Sequence, residues 1–146
     1  MKNDSDFGQY DPKTKAISLN CQLFDDTPKL RADFNKLVQS GHFPKGTDYK
    51  SVIAHEFGHQ YDFQHDLSSS KILKDAYRGI YGKYPSAQEI DIMLENTLSQ
   101  YSTASFSKNY TEAIAESFSQ WYNSDEKSDI CVAVIERILG GSYVKR

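Results

Sequence analysis

Residues 54–60 read Ala-His-Glu-Phe-Gly-His-Gln, and no other stretch constrains the fold as strongly. On an α-helix, residues four apart are offset by only about 40° and rise about 6 Å. His55 and His59 then project from one face, one turn apart, where two imidazole nitrogens can share a tetrahedral divalent ion. Glu56 is rotated by one residue, beside such an ion and not on it. There a carboxylate can take a proton from a metal-activated water. With only four His in 146 residues, chance produces this His-Glu-x-x-His pattern in about four of a thousand such chains. The chain must therefore fold so that this helix meets another ligand.

Two candidates compete for that third ligand. His65 lies at the spacing of the elongated HExxHxxGxxH zinc signature, but Asp62 stands where that signature has glycine. An aspartate reaches the required backbone state less easily than glycine. The only internal methionine, Met93, sits in a run with helical character, so no methionine turn is expected, and His65 reads as a helix-end histidine. The second candidate is the acidic pair Glu112 and Glu116, four apart among Ala113, Ile114, Ala115 and Phe118. Partly buried like charges on one helix face repel unless a cation or hydrogen-bond donors neutralise them. A metal with two histidines does so if one glutamate coordinates and the other accepts the remaining N–H of a ligand histidine.

The rest of the chain predicts a mostly helical α+β domain with a small sheet at its N-terminal end. Residues 7–10 and 16–23 flank the turn-rich Asp11-Pro12-Lys13-Thr14-Lys15, as in a hairpin. The second arm alternates Ile17, Leu19, Cys21 and Leu23 with Ser18, Asn20 and Gln22. That period of two predicts a strand with Cys21 in the core. Thr27-Pro28 predicts a helix start with threonine as cap, carried by Leu30, Phe34, Leu37 and Val38 and stopped by Gly41. Thr47-Asp48 opens the helix of the histidine motif. Further helices are expected over about 70–78, with Gly79, Gly82 and Pro85 in the following loop, and from the Ser86/Glu89 capping box to about Gln100. Two more run over about 109–122, with Trp121 and Tyr122 on the apolar face, and from Ile130 to Leu139 before Gly140-Gly141.

Composition removes other classes. Seventeen Lys+Arg against 20 Asp+Glu leave a net charge of −3, with no electrostatic footprint for nucleic acid or anionic membrane. Two cysteines 110 positions apart, without a CxxC partner, exclude a disulfide scaffold and a cysteine-ligated metal. No apolar run reaches the roughly 18 residues of a membrane span, and the first residues hold no signal peptide. Residues 1–146 are expected to form one domain, complete as written or cut from a longer protein. Location and oligomeric state are not written in the sequence.

HEFGH followed by a Glu-x-x-Ala-Glu-x-Phe helix resembles the short gluzincin peptidases. These include the catalytic domain of anthrax lethal factor, the Pro-Pro endopeptidases and the HExxH domains of phage head-morphogenesis proteins. The likeness covers Asp48 to Asp62 and Gln100 to Trp121, and the hairpin 7–23 is similar to the family's upstream strands. The resemblance implies a zincin-like fold holding one Zn²⁺ per chain on His55, His59 and Glu112, with Glu116 as supporting carboxylate. It implies Glu56 as general base and a protein or peptide as substrate. It also implies a tyrosine whose hydroxyl stabilises an oxyanion. That tyrosine usually stands seven residues before the ligand glutamate, where this chain has Ser105. Tyr101 matches its local sequence at a spacing of eleven, as an insertion of about four residues within 104–109 would give, and Tyr110 is the rival. An extended substrate is expected along the second hairpin arm, near Ser18, Asn20 and Gln22. Three settings suit such a domain: an endopeptidase, a virion or head-assembly domain using zinc for stability with weak or lost cleavage, and an exported toxin-like effector protease.

Overall fold

The computed structural model describes residues 6–104 and 109–140. The chain is mostly helical, with one two-stranded antiparallel sheet. Strands β1 (Gly8–Asp11) and β2 (Ala16–Leu19) form the expected hairpin, in register Gly8 to Leu19 and Asp11 to Ala16. Its turn is built by Asp11, whose carboxylate accepts from the Lys13 N–H and the Thr14 hydroxyl, with Lys15 at φ 56°.

The second arm is shorter than its alternation predicts. Asn20 ends β2 by capping a single helical turn, α1 (Cys21–Phe24): its side chain accepts the Gln22 N–H and donates to the Asp6 carbonyl. Cys21 is therefore exposed, not in the core, and Leu19 is exposed as well. A short polar side chain that satisfies helix-end donors overrides a weak strand pattern.

Helix α2 (Thr27–Gln39) is capped by Asp26, whose carboxylate accepts the Lys29 N–H, one residue earlier than expected. The motif helix α3 (Ser51–His65) begins three residues after Asp48, which instead accepts the Lys50 N–H just ahead of it. Helix α4 (Ser69–Tyr81) absorbs Gly79, and Gly82 ends it in the left-handed region at φ 78°. Both bonds of the Ser86/Glu89 capping box are formed at the head of α5 (Ala87–Thr97). A 3₁₀ turn, Tyr101–Thr103, precedes α6 (Thr111–Asn123), and α7 (Asp129–Ile135) continues into a π turn, Glu136–Gly140. The Gly141 of the expected terminator lies outside the described residues.

Helices α4 to α7 enclose the core, built around Leu73, Ile90, Leu94, Ile114, Phe118, Ile130 and Val134. Helix α6 runs through the middle: residues 113–120 are all buried, which is why its apolar stripe looks too wide for a surface helix. Two of its buried polar side chains bind the surrounding backbone and Ser128. Gln120 donates to the Lys45 carbonyl and accepts the Ser128 N–H and hydroxyl, and Ser117 donates to the Ala113 carbonyl. Tyr122 is exposed but still stacks on Phe118. On the other side of α6 lies α3, and β1 lies on α3. A second, aromatic cluster of Phe7, Phe34 and Phe43 joins the hairpin to α2. Among the described residues, no helix is long and apolar enough to cross a membrane.

Candidate metal centre

The residues of HEFGH occupy the middle of α3, and the low hydrophobic contrast of that helix follows from a polar face turned inward. His55 and His59 point toward Glu112 in the first turn of α6, where the helix dipole favours a carboxylate. His55 Nε2, His59 Nε2 and Glu112 Oε2 form a triangle with all three edges 3.2 Å. Nitrogen and oxygen ligands about 2.0–2.1 Å from a tetrahedral ion stand about 3.3–3.4 Å apart. The triangle thus has the size of one face of such a coordination sphere, and these three residues can hold a metal ion.

Glu116, one turn further along α6 and buried, sits behind the triangle. Its Oε1 lies 2.7 Å from His55 Nδ1, and its Oε2 accepts the Ser99 hydroxyl at 2.8 Å. With Nδ1–H donated to Glu116, a neutral His55 turns its Nε2 lone pair into the triangle, the tautomer a ligand needs. Without a metal, burial opposes the charge on His55, but Glu112 and Glu116 outweigh it and push its pKa up to about 10. Glu112 is the converse case: burial raises its pKa, and the two histidines pull it down to about 2. Mutual stabilisation of imidazolium and carboxylate charges, packed close together, accounts for both shifts.

Glu56 is buried on the cleft side of α3, next to the triangle. Burial holds its carboxyl above the usual range, opposed by His55, His59 and a hydrogen bond from the Tyr10 backbone N–H. His65 is elsewhere: it is exposed, stacks on Tyr61 and lies 3.0 Å from the Tyr61 carbonyl. Helix α3 runs on to His65 and ends only at Asp66, in the left-handed region.

The two candidate tyrosines separate clearly. Tyr101 lines the cleft with its ring 5.8 Å from that of His55. Burial, then Glu112 and Glu116, raise its pKa, so its hydroxyl stays protonated. Tyr110 is packed into the helical core, with its hydroxyl bonded to Asp91. Ser105, and residues 105–108 of the segment expected to hold an insertion, lie outside the described residues.

The cleft has a volume of about 1220 Å³. One wall is Phe7 with Gly8, Gln9 and Tyr10 of β1, and none of Ser18, Asn20 and Gln22 lines it. Ser18 is on the far strand, Asn20 is the buried cap and Gln22 lies on α1. The reason is the order of layers, because β1 and not β2 packs on α3. Gly8 permits this: a Cβ there would stand 2.9 Å from Val52 Cγ1 and 3.2 Å from Glu56 Cγ. The Phe7 carbonyl accepts the Asn20 N–H, and Gln9 is the next residue of β1 to pair across the ladder, with Ser18. The backbone groups of Gly8 and Tyr10 therefore face away from β2. The Tyr10 N–H to Glu56 follows that direction. Among the described residues, the buried Tyr10 hydroxyl meets no hydrogen-bond partner.

Sequence reasoning missed Gly58 and Ser99. A Cβ at Gly58 would stand 2.8 Å from Ala115 Cα, and the glycine inside HEFGH was the available signal. Ser99 carried no signal, because it meets Glu116 only in three dimensions. Comparison of the chain with protein-family models, with curated proteins and with solved structures returned no match.

Proposed function

We propose that this chain is a zinc-dependent endopeptidase. The observation that carries the reading is the buried Glu56 carboxylate beside the His55, His59 and Glu112 triangle, on the wall of an open cleft. A metal kept only for stability needs four closed ligands and no neighbouring base. Two imidazoles and one carboxylate suit zinc and leave a position open for chemistry. Zinc, when bound there, supplies a Lewis acid that acidifies water and polarises a carbonyl.

The remaining work falls to the chain's own side chains. Glu56 takes the proton of the attacking water and delivers it to the leaving amine. Its elevated pKa eases that return. Tyr101, held protonated, donates its hydroxyl to the oxyanion as the carbonyl becomes tetrahedral. An extended peptide pairs with the outer edge of β1 through the backbone groups of Gly8 and the carbonyl of Tyr10, in place of Ser18, Asn20 and Gln22 as the substrate strand. The chain of rings from His55 through Tyr101 and Phe43 to Phe34 gives one end of the cleft an apolar lining.

Elemental analysis of the purified protein is expected to find about one zinc per chain. Glu56→Gln keeps that zinc and abolishes cleavage of a proteome-derived peptide library. A Glu56→Gln variant that cleaves as fast as the parent, or a parent that binds zinc and cleaves nothing, overturns the reading. The second outcome favours an assembly domain that uses zinc for stability.

A further inference from the structure

The innermost support of the metal centre is a serine outside both ligand helices. Ser99 is 1% exposed and lies between the end of α5 and the 3₁₀ turn. Its hydroxyl donates to Glu116 Oε2 at 2.8 Å and accepts the Ser102 N–H at 3.1 Å. Glu116 Oε1 is 2.7 Å from His55 Nδ1. We propose that Ser99 is a positioning residue that fixes the His55 ring through Glu116 and ties the Tyr101 turn to the metal centre.

The terminal torsion of a glutamate is broad and roughly two-fold, so a carboxylate held at one oxygen can still rotate. Glu116 is held at both. Its plane, and with it the direction of the bond to His55, is set by the Ser99 hydroxyl. A serine that only closed its local turn needs the Ser102 N–H and nothing more. The bond to a carboxylate 17 residues away is an addition that the turn does not require. Without it, one oxygen of a buried carboxylate loses its donor. Tyr101 follows two residues later in the same turn, its N–H bonded to the His42 carbonyl at 3.1 Å. One hydroxyl thereby couples the tyrosine-bearing turn to the carboxylate behind a ligand histidine.

The inference rests on His55, His59 and Glu112 being metal ligands, and the test separates the two claims. Zinc affinity is measured on the full chain by competition with a chromophoric chelator, for the parent, Ser99→Ala, Glu116→Gln and the double variant. Cobalt absorption spectra report ligand geometry. Ser99→Ala is expected to weaken zinc about ten-fold, the low end of what residues supporting ligands contribute, and to shift the cobalt spectrum. In the Glu116→Gln background the same change costs nothing further. Thr103→Ala removes a hydroxyl from the same turn, one bonded to the Gln100 carbonyl, and leaves affinity unchanged. Ser99→Cys, which fills the site with a poor donor, carries the test if the alanine variant does not fold. Zinc affinity within about two-fold of the parent with the same cobalt spectrum overturns the proposal, as does an equal loss in both backgrounds. A parent that takes up neither zinc nor cobalt removes the metal reading itself.

Discussion

Gly58 of α3 faces Ala115 of α6 so closely that a methyl group at Gly58 would stand 2.8 Å from the Ala115 Cα and 3.2 Å from the Phe118 side chain. The two helices that carry His55, His59 and Glu112 approach each other at this point. One turn before it, on α3, is His55, and one residue after it is His59; Glu112 and Glu116 bracket Ala115. Glycine inside a helix costs about 1 kcal/mol relative to alanine. Overpacking against a backbone atom costs about 1–3 kcal/mol, so the contact outweighs the propensity. Gly58→Ala is expected to destabilise the fold by up to about 2 kcal/mol on balance and to weaken metal binding by parting the helices. Chemical denaturation and zinc competition check both effects. An alanine variant more stable than the parent contradicts the close approach.

The pH response of the metal-free protein follows from the shifts at the centre. His55, raised to about 10, contributes stability that is complete below 6.5 and is lost as pH climbs from 6.5 toward 10. Glu112, lowered to about 2, contributes stability that is complete above 4.5 and is lost as pH falls from 4.5 toward 2. In chelator-treated protein the contribution of the cluster is therefore greatest between 4.5 and 6.5. Thermal denaturation across pH, compared with Glu112→Gln, isolates it. Zinc must displace the proton on His55, so binding at neutral pH releases protons and tightens as pH rises. Calorimetry in buffers of different ionisation enthalpy counts them, and binding without proton release contradicts the assignment.

The parts of the fold legible in the sequence are those set by short-range chemistry. The Ser86/Glu89 capping box and the period of α6 both depend on neighbours within four residues. His55, His59 and Glu56 were legible for the same reason, since one helical turn fixes their relation. The pair Glu112 and Glu116 was legible because two carboxylates among apolar residues need a cation or hydrogen-bond donors; which of the two faces the histidines came from the family resemblance. The hairpin misled where two local signals conflicted: alternation favoured strand through Leu23, while Asn20 offered a helix cap and prevailed. Whether β1 or β2 would line the cleft was not written in either strand. It depends on Gly8 lying against Val52 and Glu56, a contact between segments more than 40 residues apart.

The cysteines differ in reactivity by their surroundings. Cys21 is exposed on α1, whereas Cys131 is buried, its thiol lying 3.2 Å from the Ser117 carbonyl. Burial pushes the Cys131 pKa up to about 12, only partly opposed by Lys127. Since the thiolate is the reactive form, Cys131 is inert in the folded state. A thiol-specific chromogenic reagent is expected to titrate one group quickly in native protein and two in denaturant. Cys21→Ser removes the fast phase alone. Two fast thiols in the native protein contradict the burial of α7.

The last expectation contrasts the two tyrosines near the ligand helix. Tyr101 lines the cleft beside His55, so Tyr101→Phe removes a hydroxyl from the reaction space. Loss of one oxyanion donor costs about 10²–10³ in kcat. Zinc content and KM should change little, because the ring keeps its packing against Phe43 and His42. Tyr110→Phe breaks a hydrogen bond to the half-buried Asp91 at the edge of the core. It is expected to lower stability by about 1 kcal/mol and to leave kcat near the parent value. Steady-state kinetics on a cleaved peptide, beside denaturation curves, separate the pair. The reverse pattern, with kcat falling in Tyr110→Phe and unchanged in Tyr101→Phe, transfers the donor role to Tyr110. That transfer requires the segment before α6 to rearrange when substrate binds, because Tyr110 faces the core on the far side of its own backbone turn at φ 60°.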